Sequence, residues 1–306
     1  MKNKQIYNIL FVLTDSYVLY SCPLIVSIIK QCSCPVNFYY ITPDISEKHK
    51  TLLRSFLQQY ESHAYFIHCD VKKFSGLYST ERYPLFLYAK MIPHHYLPNN
   101  LHRILGLDID TLVYGNIDDL YNVDFNNQFL VACHNKRSLT NLWKSQADNN
   151  FFQEGFNGGV ILYNLNLFRA SVTMDTYFSW INEYTKKTGL PQRQFEEWIM
   201  SNSLSGKYKL LMPFDYNYNI SANDLYQDYC LFHNISPLQR IIHFQNNTKN
   251  CMSSNTYGKP WEYYRHFILK EPSNITQSSV YKFYEQWWAY ARTLPKEILN
   301  YYNDER

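Results

Sequence analysis

Residues 103–113 read RILGLDIDTLV, a short apolar run that ends in two acids one residue apart. Side chains at positions i and i+2 of a strand point to the same side, so Asp108 and Asp110 can aim both carboxylates at one spot where the strand runs out. Magnesium and manganese favour oxygen ligands and keep positions open for substrate phosphates. Most Asp-x-Asp triplets are nevertheless turn or surface acids, and only the rest of the chain can favour the metal-site interpretation.

Strand and helix patterns alternate in the first third of the chain. Apolar, β-branched and aromatic runs predict strands at residues 8–13, 36–41 and 64–68, with helices between them at 18–30 and up to about residue 60. This alternation is typical of a parallel sheet with right-handed crossovers. Ligands of such sheets bind at the carboxyl ends of the strands, which places the loop after the first strand and the two acids on the same rim.

The remaining patterns are less regular. We expect helices over the middle of 79–96 and over 174–187 and 194–203, and short strands at 129–133, 210–213 and 241–244. Residues 134–154 are polar and weakly periodic, which is typical of an insertion that covers a site and moves.

Composition and charge exclude some classes of protein. With 306 residues, 46% hydrophobic and 18% charged, the chain can bury a core and is not disordered. A net charge of +3, with scattered lysines and arginines, argues against nucleic acid as a partner. The 29 Tyr, 19 Phe and 6 Trp suit stacking on sugars or bases, but an AT-rich coding sequence would enrich the same residues.

The cysteines and the hydropathy pattern bear on location. Seven cysteines without a repeating pattern favour reduced thiols, and Cys32-x-Cys34 lacks the second pair that a zinc site needs. The apolar run at 9–13 is cut by Asp15 and is not followed by a cleavage site, and no stretch of about twenty apolar residues occurs. We therefore expect a soluble protein that stays in the cytoplasm.

Other candidate residues each have two interpretations. An Asn and two glycines at 157–159 let a backbone or ligand come close, or form a bulge or tight turn. Glu196 and Glu197 fall near a predicted helix start, where they suit either capping or catalysis. A strand histidine such as His243 is either a core residue or a ligand. The aromatic, partly basic helix within the last forty residues could pack on the body or rest on a membrane surface.

Taken together, these pieces resemble family 8 of the glycosyltransferases, bacterial enzymes that add glucose or galactose from a UDP-sugar with retention of configuration. The matching segments occur in the family's order over most of the chain: residues 83–90, 97–98, 103–110, 120–121, 156–160, 216–218, 243–244, 259–261 and 290–293. The resemblance implies an α/β fold of the GT-A type. We expect one Rossmann-like nucleotide-sugar-binding domain over residues 1–264 with a mostly parallel central sheet, and a helical appendage over 265–306.

The resemblance also implies how UDP and a metal are held. Asp108, Asp110 and His243 correspond to the ligands of a manganese ion, or magnesium, that grips both phosphates, which agrees with manganese accepting mixed nitrogen and oxygen ligands. The residues expected to bind UDP are Leu13, Thr14, Asp15, Ser16, Tyr17, Asp108, Ile109, Asp110 and Lys259. Tyr17 matches the aromatic that stacks on uracil, and Lys259 the lysine that contacts phosphate. Thr14 and Ser16 stand where the family often has Asp and Asn.

The donor sugar is expected to contact Lys90, Asn157, Gly158 and Glu196. Lys90 replaces the family's usual Arg and lacks its bidentate fork. The family's Asp-Gln-Asp segment has no literal copy, and Glu196 and Glu197 are its nearest match. With Lys90 and Asn157 they are the candidate catalytic residues. We favour same-face attack, in which the leaving phosphate takes the acceptor's proton, over double displacement through a carboxylate.

The expected acceptor is a lipopolysaccharide or another surface glycan, which would suit an enzyme that touches the inner membrane through its tail. Three alternatives remain open: a weak or inactive nucleotide-sugar-binding protein of the same fold, a nucleotidyltransferase that uses paired carboxylates, and a membrane-docking structural protein built around the carboxyl-terminal aromatics.

Overall fold

The computed structural model describes residues 5–81, 83–148, 155–189, 196–245 and 258–303. The strands are β1 (Tyr7–Val12), β2 (Val36–Thr42), β3 (His63–His68), β4 (Arg103–Leu107), β5 (Thr111–Val113), β6 (Leu130–His134), β7 (Phe156–Asn164), β8 (Tyr208–Leu211), β9 (Tyr218–Asn219) and β10 (Ile241–His243). The α-helices are α1 (Asp15–Val18), α2 (Cys22–Gln31), α3 (Glu47–Gln58), α4 (Asp118–Tyr121), α5 (Lys136–Asp148), α6 (Leu165–Ser171), α7 (Met174–Thr188), α8 (Glu196–Ser203), α9 (Pro213–Tyr216), α10 (Asn223–Phe232), α11 (Tyr264–Phe267), α12 (Tyr281–Ala291) and α13 (Lys296–Leu299).

The large sheet has the order β3-β2-β1-β4-β7-β6-β8. β1 pairs in parallel with β2 and β4, and β2 with β3, whereas β7 runs antiparallel to both β4 and β6. The register of β1 and β4 pairs Ile9 with Leu105, so the two strands end close together. The predicted α/β fold with a mostly parallel sheet is confirmed, and the loop after β1 and the two acids do share one rim.

Burial explains why the strand patterns could be read from the sequence. Central strands covered on both faces are nearly continuous apolar runs, and Ile9, Leu10 and Phe11 of β1 are all buried. Strand β3 lies at the edge and alternates between exposed and half-buried residues.

A second sheet of three strands, β5-β10-β9, lies beside the acids. β10 is antiparallel to β5 and parallel to β9, and His243 pairs with Thr111 on one side and Asn219 on the other. The Phe244 amide donates a hydrogen bond of 2.7 Å to the Asp110 carbonyl. This short sheet therefore brings His243 next to the acidic turn.

Three predicted elements differ in detail. The α-helix expected within 79–96 is two 3₁₀-helices, Leu85–Met91 and Pro93–His95, and Pro93 lacks the amide that a continuous α-helix would need to bond the Ala89 carbonyl. The helix expected at 18–30 is divided by a 3₁₀ turn at Leu19–Ser21, before Pro23. The segment expected to be an irregular insertion forms α5, and its residues 149–154 lie outside the described residues, as do 194 and 195 of the helix predicted at 194–203.

Helix α12 packs against α2, and its Trp287 and Trp288 are completely buried. Of the two interpretations of this aromatic helix, packing on the body is therefore the one the structure shows. The proposed division after residue 264 falls inside α11. No helix in the described part of the chain is both long and apolar enough to cross a bilayer.

Candidate active site

The two acids lie on a tight turn between β4 and β5. Asp108 donates its amide to the Gly159 carbonyl at 2.9 Å, and Thr111 donates both its amide and its hydroxyl to the Asp108 carbonyl. The side chain of Asp110 is 9% exposed and that of Asp108 31%. The carboxylates converge as predicted, but a turn that follows the strand brings them together, rather than the strand pleat.

His243 completes a cluster of three metal-ligating groups. Its Nε2 lies 3.5 Å from Asp110 Oδ1 and 3.9 Å from Asp108 Oδ2, and one donor atom from each of the three residues falls within 4.8 Å of the others. The ring is fully enclosed, at 2% exposure. Two carboxylates and one imidazole are the kind of donor set that binds manganese or magnesium, and their convergence on one point fits a divalent cation.

Asn217 fixes the orientation of the His243 ring. Asn217 Nδ2 donates to Asn157 Oδ1 at 2.9 Å, which leaves its Oδ1 facing His243 Nδ1 at 3.0 Å. Nδ1 is then a donor to Asn217, and Nε2 is the ring nitrogen that faces the carboxylates. Nε2 is therefore the atom through which His243 could bind a metal.

Two lysines balance the acidic charge. Lys90 Nζ lies 2.5 Å from Asp108 Oδ1 and 3.7 Å from Glu196 Oε1, and the Lys259 ammonium contacts Asp110 Oδ2. Burial tends to raise the pKa of Asp110, but the charges of Lys259 and His243 outweigh it and hold that pKa well below its ordinary value. Burial likewise opposes the charge on Lys90, and Asp108 and Glu196 raise its pKa regardless. Asp110 is consequently ionised at neutral pH.

Glu196 and Glu197 begin α8. Burial raises the pKa of Glu196 despite the nearby Lys90 ammonium, and burial together with the Glu196 charge raises the pKa of Glu197 to about 7. Glu197 Oε2 accepts a hydrogen bond of 2.8 Å from the Gly158 amide. The two glutamates thus lie against the glycines of β7, with Glu196 nearer the metal cluster through Lys90.

Asn157 is held by amide groups on several sides. Its Oδ1 accepts from the Gly159 amide at 3.0 Å as well as from Asn217, and its Nδ2 donates to Gln245 Oε1 at 3.2 Å. The β6–β7 pairing shifts register at Cys133, opposite this point. Of the two interpretations of the glycine stretch, a bulge and a close approach are therefore both present, the latter at Gly159.

The cluster opens into a cavity of about 970 Å³, large enough for a nucleotide sugar. Twelve of the predicted site residues line it, namely Leu13, Thr14, Tyr17, Asp108, Ile109, Asp110, Asn157, Gly158, Glu196, Glu197, His243 and Lys259. Three others do not line it: Asp15, Ser16 and Lys90. The Asp15 carboxylate instead accepts hydrogen bonds from the Ser46 amide and pairs with His49 at 2.7 Å, and Ser16 bonds the Thr14 hydroxyl.

The family model for "Glycosyl transferase family 8" matches residues 8–264, more than half of the chain. The chain belongs to this family. The family 8 assignment agrees with the metal-ligating cluster at the carboxyl edge of its sheet.

Individual relatives give the same picture of this family 8 chain. A Haemophilus influenzae protein whose glycosyltransferase assignment is provisional is 26% identical over 211 residues, which cover 68% of this chain and 62% of that relative. A crystal structure of the galactosyltransferase LgtC with donor and acceptor sugar analogues is 20% identical, with a TM-score of 0.68 over 96% of this chain and 99% of LgtC. The Streptococcus pneumoniae glycosyltransferase GlyE has a TM-score of 0.60 at 19% identity, over 97% of this chain and 62% of GlyE. At these identities the structural matches establish the shared GT-A fold.

The prediction of the family 8 site missed several residues. Asn217 and Gln245 hold His243 and Asn157, and Trp261, Glu81, Pro84 and Phe86 line the cavity. Asn217 and Asn219 alternate with tyrosines in the segment interpreted as a loop, and the match of residues 216–218 to the family's order of motifs was the available signal for Asn217.

Proposed function

We propose that this chain transfers a hexose, glucose or galactose, from a UDP-sugar to a glycan acceptor with retention of configuration. The observation that carries the proposal is the convergence of Asp108, Asp110 and His243 on the wall of a nucleotide-sized cavity in a chain of family 8. UDP leaves the sugar more readily when the charge that builds on its phosphates is neutralised, and this donor set suits that task.

Asp108, Asp110 and His243 would hold manganese or magnesium, which supplies Lewis acidity to the departing diphosphate. Lys259 lies at the same spot and contributes a point charge to a phosphate oxygen. Asp110 is ionised at neutral pH and is therefore ready to act as a ligand.

Tyr17 and the loop at 13–16 would receive the uridine. Tyr17 is 46% exposed and lines the cavity, so its ring can stack on a base. Thr14 also lines the cavity and its hydroxyl can hydrogen-bond the uridine, while the Ser16 hydroxyl bonds Thr14. Asp15, which is paired with His49, would act by shaping this loop.

Asn157, Gly158 and Glu196 would surround the donor sugar, and Lys90, which does not line the cavity, would act on it through Asp108 and Glu196. Lys90 is shared between Asp108 and Glu196, and it thereby ties the metal cluster to the sugar end. We favour same-face attack, since Glu196 is ion-paired with Lys90 and the Glu197 carboxyl group accepts the Gly158 amide, so both glutamates already have partners.

The acceptor would be a surface glycan such as lipopolysaccharide, encountered in the cytoplasm at the inner face of the membrane. The LgtC structure in complex with donor and acceptor sugar analogues supports a glycan acceptor for this chain as well. Residues 265–306, whose α12 packs on the body, would contact the membrane through exposed side chains such as Leu269.

The test measures UDP release from UDP-glucose, UDP-galactose and their N-acetyl forms, with manganese and with EDTA. We expect hydrolysis or transfer from a hexose donor in manganese, none in EDTA, and at least a hundredfold loss in Asp110→Asn. If UDP binds but all four donors stay intact, the weak or inactive binding protein of the same fold is the better description. If Asp110→Asn works at full rate, the metal proposal is wrong.

A further inference from the structure

We propose that residues 281–303, named here the carboxyl-terminal segment, position both walls of the nucleotide end of the cavity. The segment contains α12, α13 and the 3₁₀-helix Asn300–Asn303, and it lies beyond the part of the chain matched by the family model. The proposal rests on the proposed function only in taking the cavity as a UDP site.

The first wall is the stretch 14–19, which follows β1 and carries Tyr17. The Tyr301 hydroxyl donates to the Ser16 carbonyl at 3.2 Å, and the Tyr302 hydroxyl donates to the Leu19 carbonyl at 2.9 Å. These two bonds lie on either side of Tyr17 in the sequence. Leaving a carbonyl without a donor inside a protein costs free energy. The two tyrosines therefore favour the one backbone path of the wall in which both carbonyls are hydrogen-bonded.

The second wall is the stretch 258–261, which carries Lys259. On this side the donors come from α12: Tyr284 Oη bonds the Gly258 carbonyl at 2.7 Å and Trp288 Nε1 bonds the Pro260 carbonyl at 2.9 Å. The two carbonyls flank Lys259, whose ammonium reaches Asp110. The carboxyl-terminal segment thus fixes the backbone position from which the Lys259 side chain extends.

Aromatic rings join the two walls behind the cavity. The Tyr20 ring lies between Trp261 and Tyr302, with centroid distances of 4.8 and 5.3 Å, and Trp287 lies 6.3 Å from Trp261 and 5.6 Å from Tyr302. Trp261 and Tyr17 also line the cavity. A movement of the carboxyl-terminal segment would therefore shift both walls together.

Ordinary core packing would also bury these rings, but it predicts a different result on mutation. Removing a hydroxyl while keeping its ring hardly changes packing, so a purely structural segment would lose a little global stability and nothing else. A positioning segment would loosen residues 14–19 and 258–261 selectively and weaken UDP binding. The two roles can therefore be separated by measurement.

The experiment compares Tyr301→Phe, Tyr302→Phe and their double variant with a matched control, Tyr290→Phe. Tyr290 lies on α12 with its ring 5.0 Å from Lys30 Nζ, and in the described part of the chain its hydroxyl bonds neither wall. Tyr284→Phe removes the hydroxyl that bonds the Gly258 carbonyl and tests the second wall in the same way. Amide hydrogen exchange of the full chain without ligand measures how often the backbone of each wall opens. Calorimetry with UDP and manganese measures the affinity for UDP.

We expect each hydroxyl deletion to speed exchange in the wall that the hydroxyl bonds, 14–19 for Tyr301 and Tyr302 and 258–261 for Tyr284, and to raise the Kd for UDP about fivefold. The double variant should combine the effects of Tyr301→Phe and Tyr302→Phe. In turnover, KM should rise while kcat is kept. Tyr290→Phe should match the wild type in both measurements. Unchanged wall exchange and UDP affinity in the double variant, or losses equal to those of Tyr290→Phe, would overturn the proposal. If the wild type binds no UDP, the proposed function fails, and the exchange data still decide whether the segment holds the walls.

Discussion

The buried imidazole of His243 depends on a neighbour outside the metal cluster. Asn217 accepts from Nδ1 and donates to Asn157, so one amide side chain connects the candidate metal ligand to the candidate sugar contact. Groups that orient a metal-ligating histidine typically change metal affinity by 10–100-fold when removed.

We predict that Asn217→Ala weakens manganese binding by about tenfold or more, because Nδ1 loses its acceptor and the ring can rotate. Asn217→Asp keeps an acceptor for Nδ1 and should retain manganese binding, although it cannot donate to Asn157. Titration followed by electron paramagnetic resonance of free manganese measures both. Equal losses in the two variants would contradict the prediction.

The raised pKa of Glu197 predicts a pH dependence of stability. The folded state favours the protonated form, so the contribution is complete below the ordinary pKa of 4.5 and is lost as the pH rises through about 7. The difference between a pKa of 4.5 and one of about 7 corresponds to roughly 3 kcal/mol in the free energy of unfolding.

We therefore expect Glu197→Gln to unfold at higher urea than the wild type at pH 8, with the difference vanishing near pH 4.5. Urea titrations in EDTA at several pH values measure this. The exposed Glu285→Gln provides the matched control. A constant difference between Glu197→Gln and wild type at every pH would show that the carboxyl is not held neutral.

The sequence allowed part of the site to be predicted, for physical reasons. Asp108 and Asp110 follow an apolar strand, a local pattern, and the late His243 came from the family's order of motifs. Asn217 and Gln245 could not be predicted in the same way, because their contacts arise only when β9 and β10 pair in parallel across a long connection. The partner of Asp15 was also hidden, since His49 belongs to another βα unit.

At the scale of elements, β7 determines how closely His243 can approach the sheet. A Cβ built on Gly159 would lie 2.2 Å from His243 Cε1, which is a severe steric clash between non-bonded carbon atoms. A Cβ on the adjacent Gly158 would meet nothing closer than 3.5 Å, which is an ordinary contact. Gly158 therefore has room for a methyl side chain, whereas Gly159 does not.

We predict that Gly159→Ala displaces the His243 ring and weakens manganese binding at least tenfold, while Gly158→Ala preserves it. Manganese titration with circular dichroism as a check on folding measures the pair. Normal manganese affinity in a folded Gly159→Ala variant would mean that the ring is not a ligand.

Helix prediction failed where proline or context decided the outcome. Leu85–Met91 carries a helix-like composition, but Pro84 and Pro93 bracket it and it forms a 3₁₀-helix. Residues 136–148 have weak periodicity in sequence and become helical because Leu139 is completely buried and Trp143 packs near Tyr229 of α10. Tertiary contacts of this kind are not present in a local pattern.

At the scale of the whole molecule, the parallel half of the sheet could be predicted and the antiparallel half could not. Alternating strands and helices specify β1, β2 and β3, whereas β7 enters between β4 and β6 in the opposite direction after a long connection. No local sequence pattern indicates that β7 runs antiparallel to its neighbours. The burial of Trp287 and Trp288 was one of two open alternatives for the same reason.

The cavity is enclosed by elements from most of the chain, so ligands should stabilise the entire fold. A ligand at about a hundred times its Kd adds roughly 2.7 kcal/mol to the free energy of unfolding. We predict that UDP with manganese raises Tm by several degrees, that EDTA abolishes the rise, and that Asp110→Asn shows none. Differential scanning calorimetry measures the three cases. An equal rise with UDP in EDTA would mean that nucleotide binding needs no metal.

The bonds from Tyr301 and Tyr302 span 285 and 283 residues of the chain. During synthesis on the ribosome, the stretch that carries Tyr17 emerges first and lacks its two tyrosine donors until residues 301 and 302 leave the exit tunnel. The pocket therefore matures only after residue 302 has emerged. Stalled nascent chains that stop before residue 300 should be retained less by UDP-agarose than released chains that contain residues 1–306.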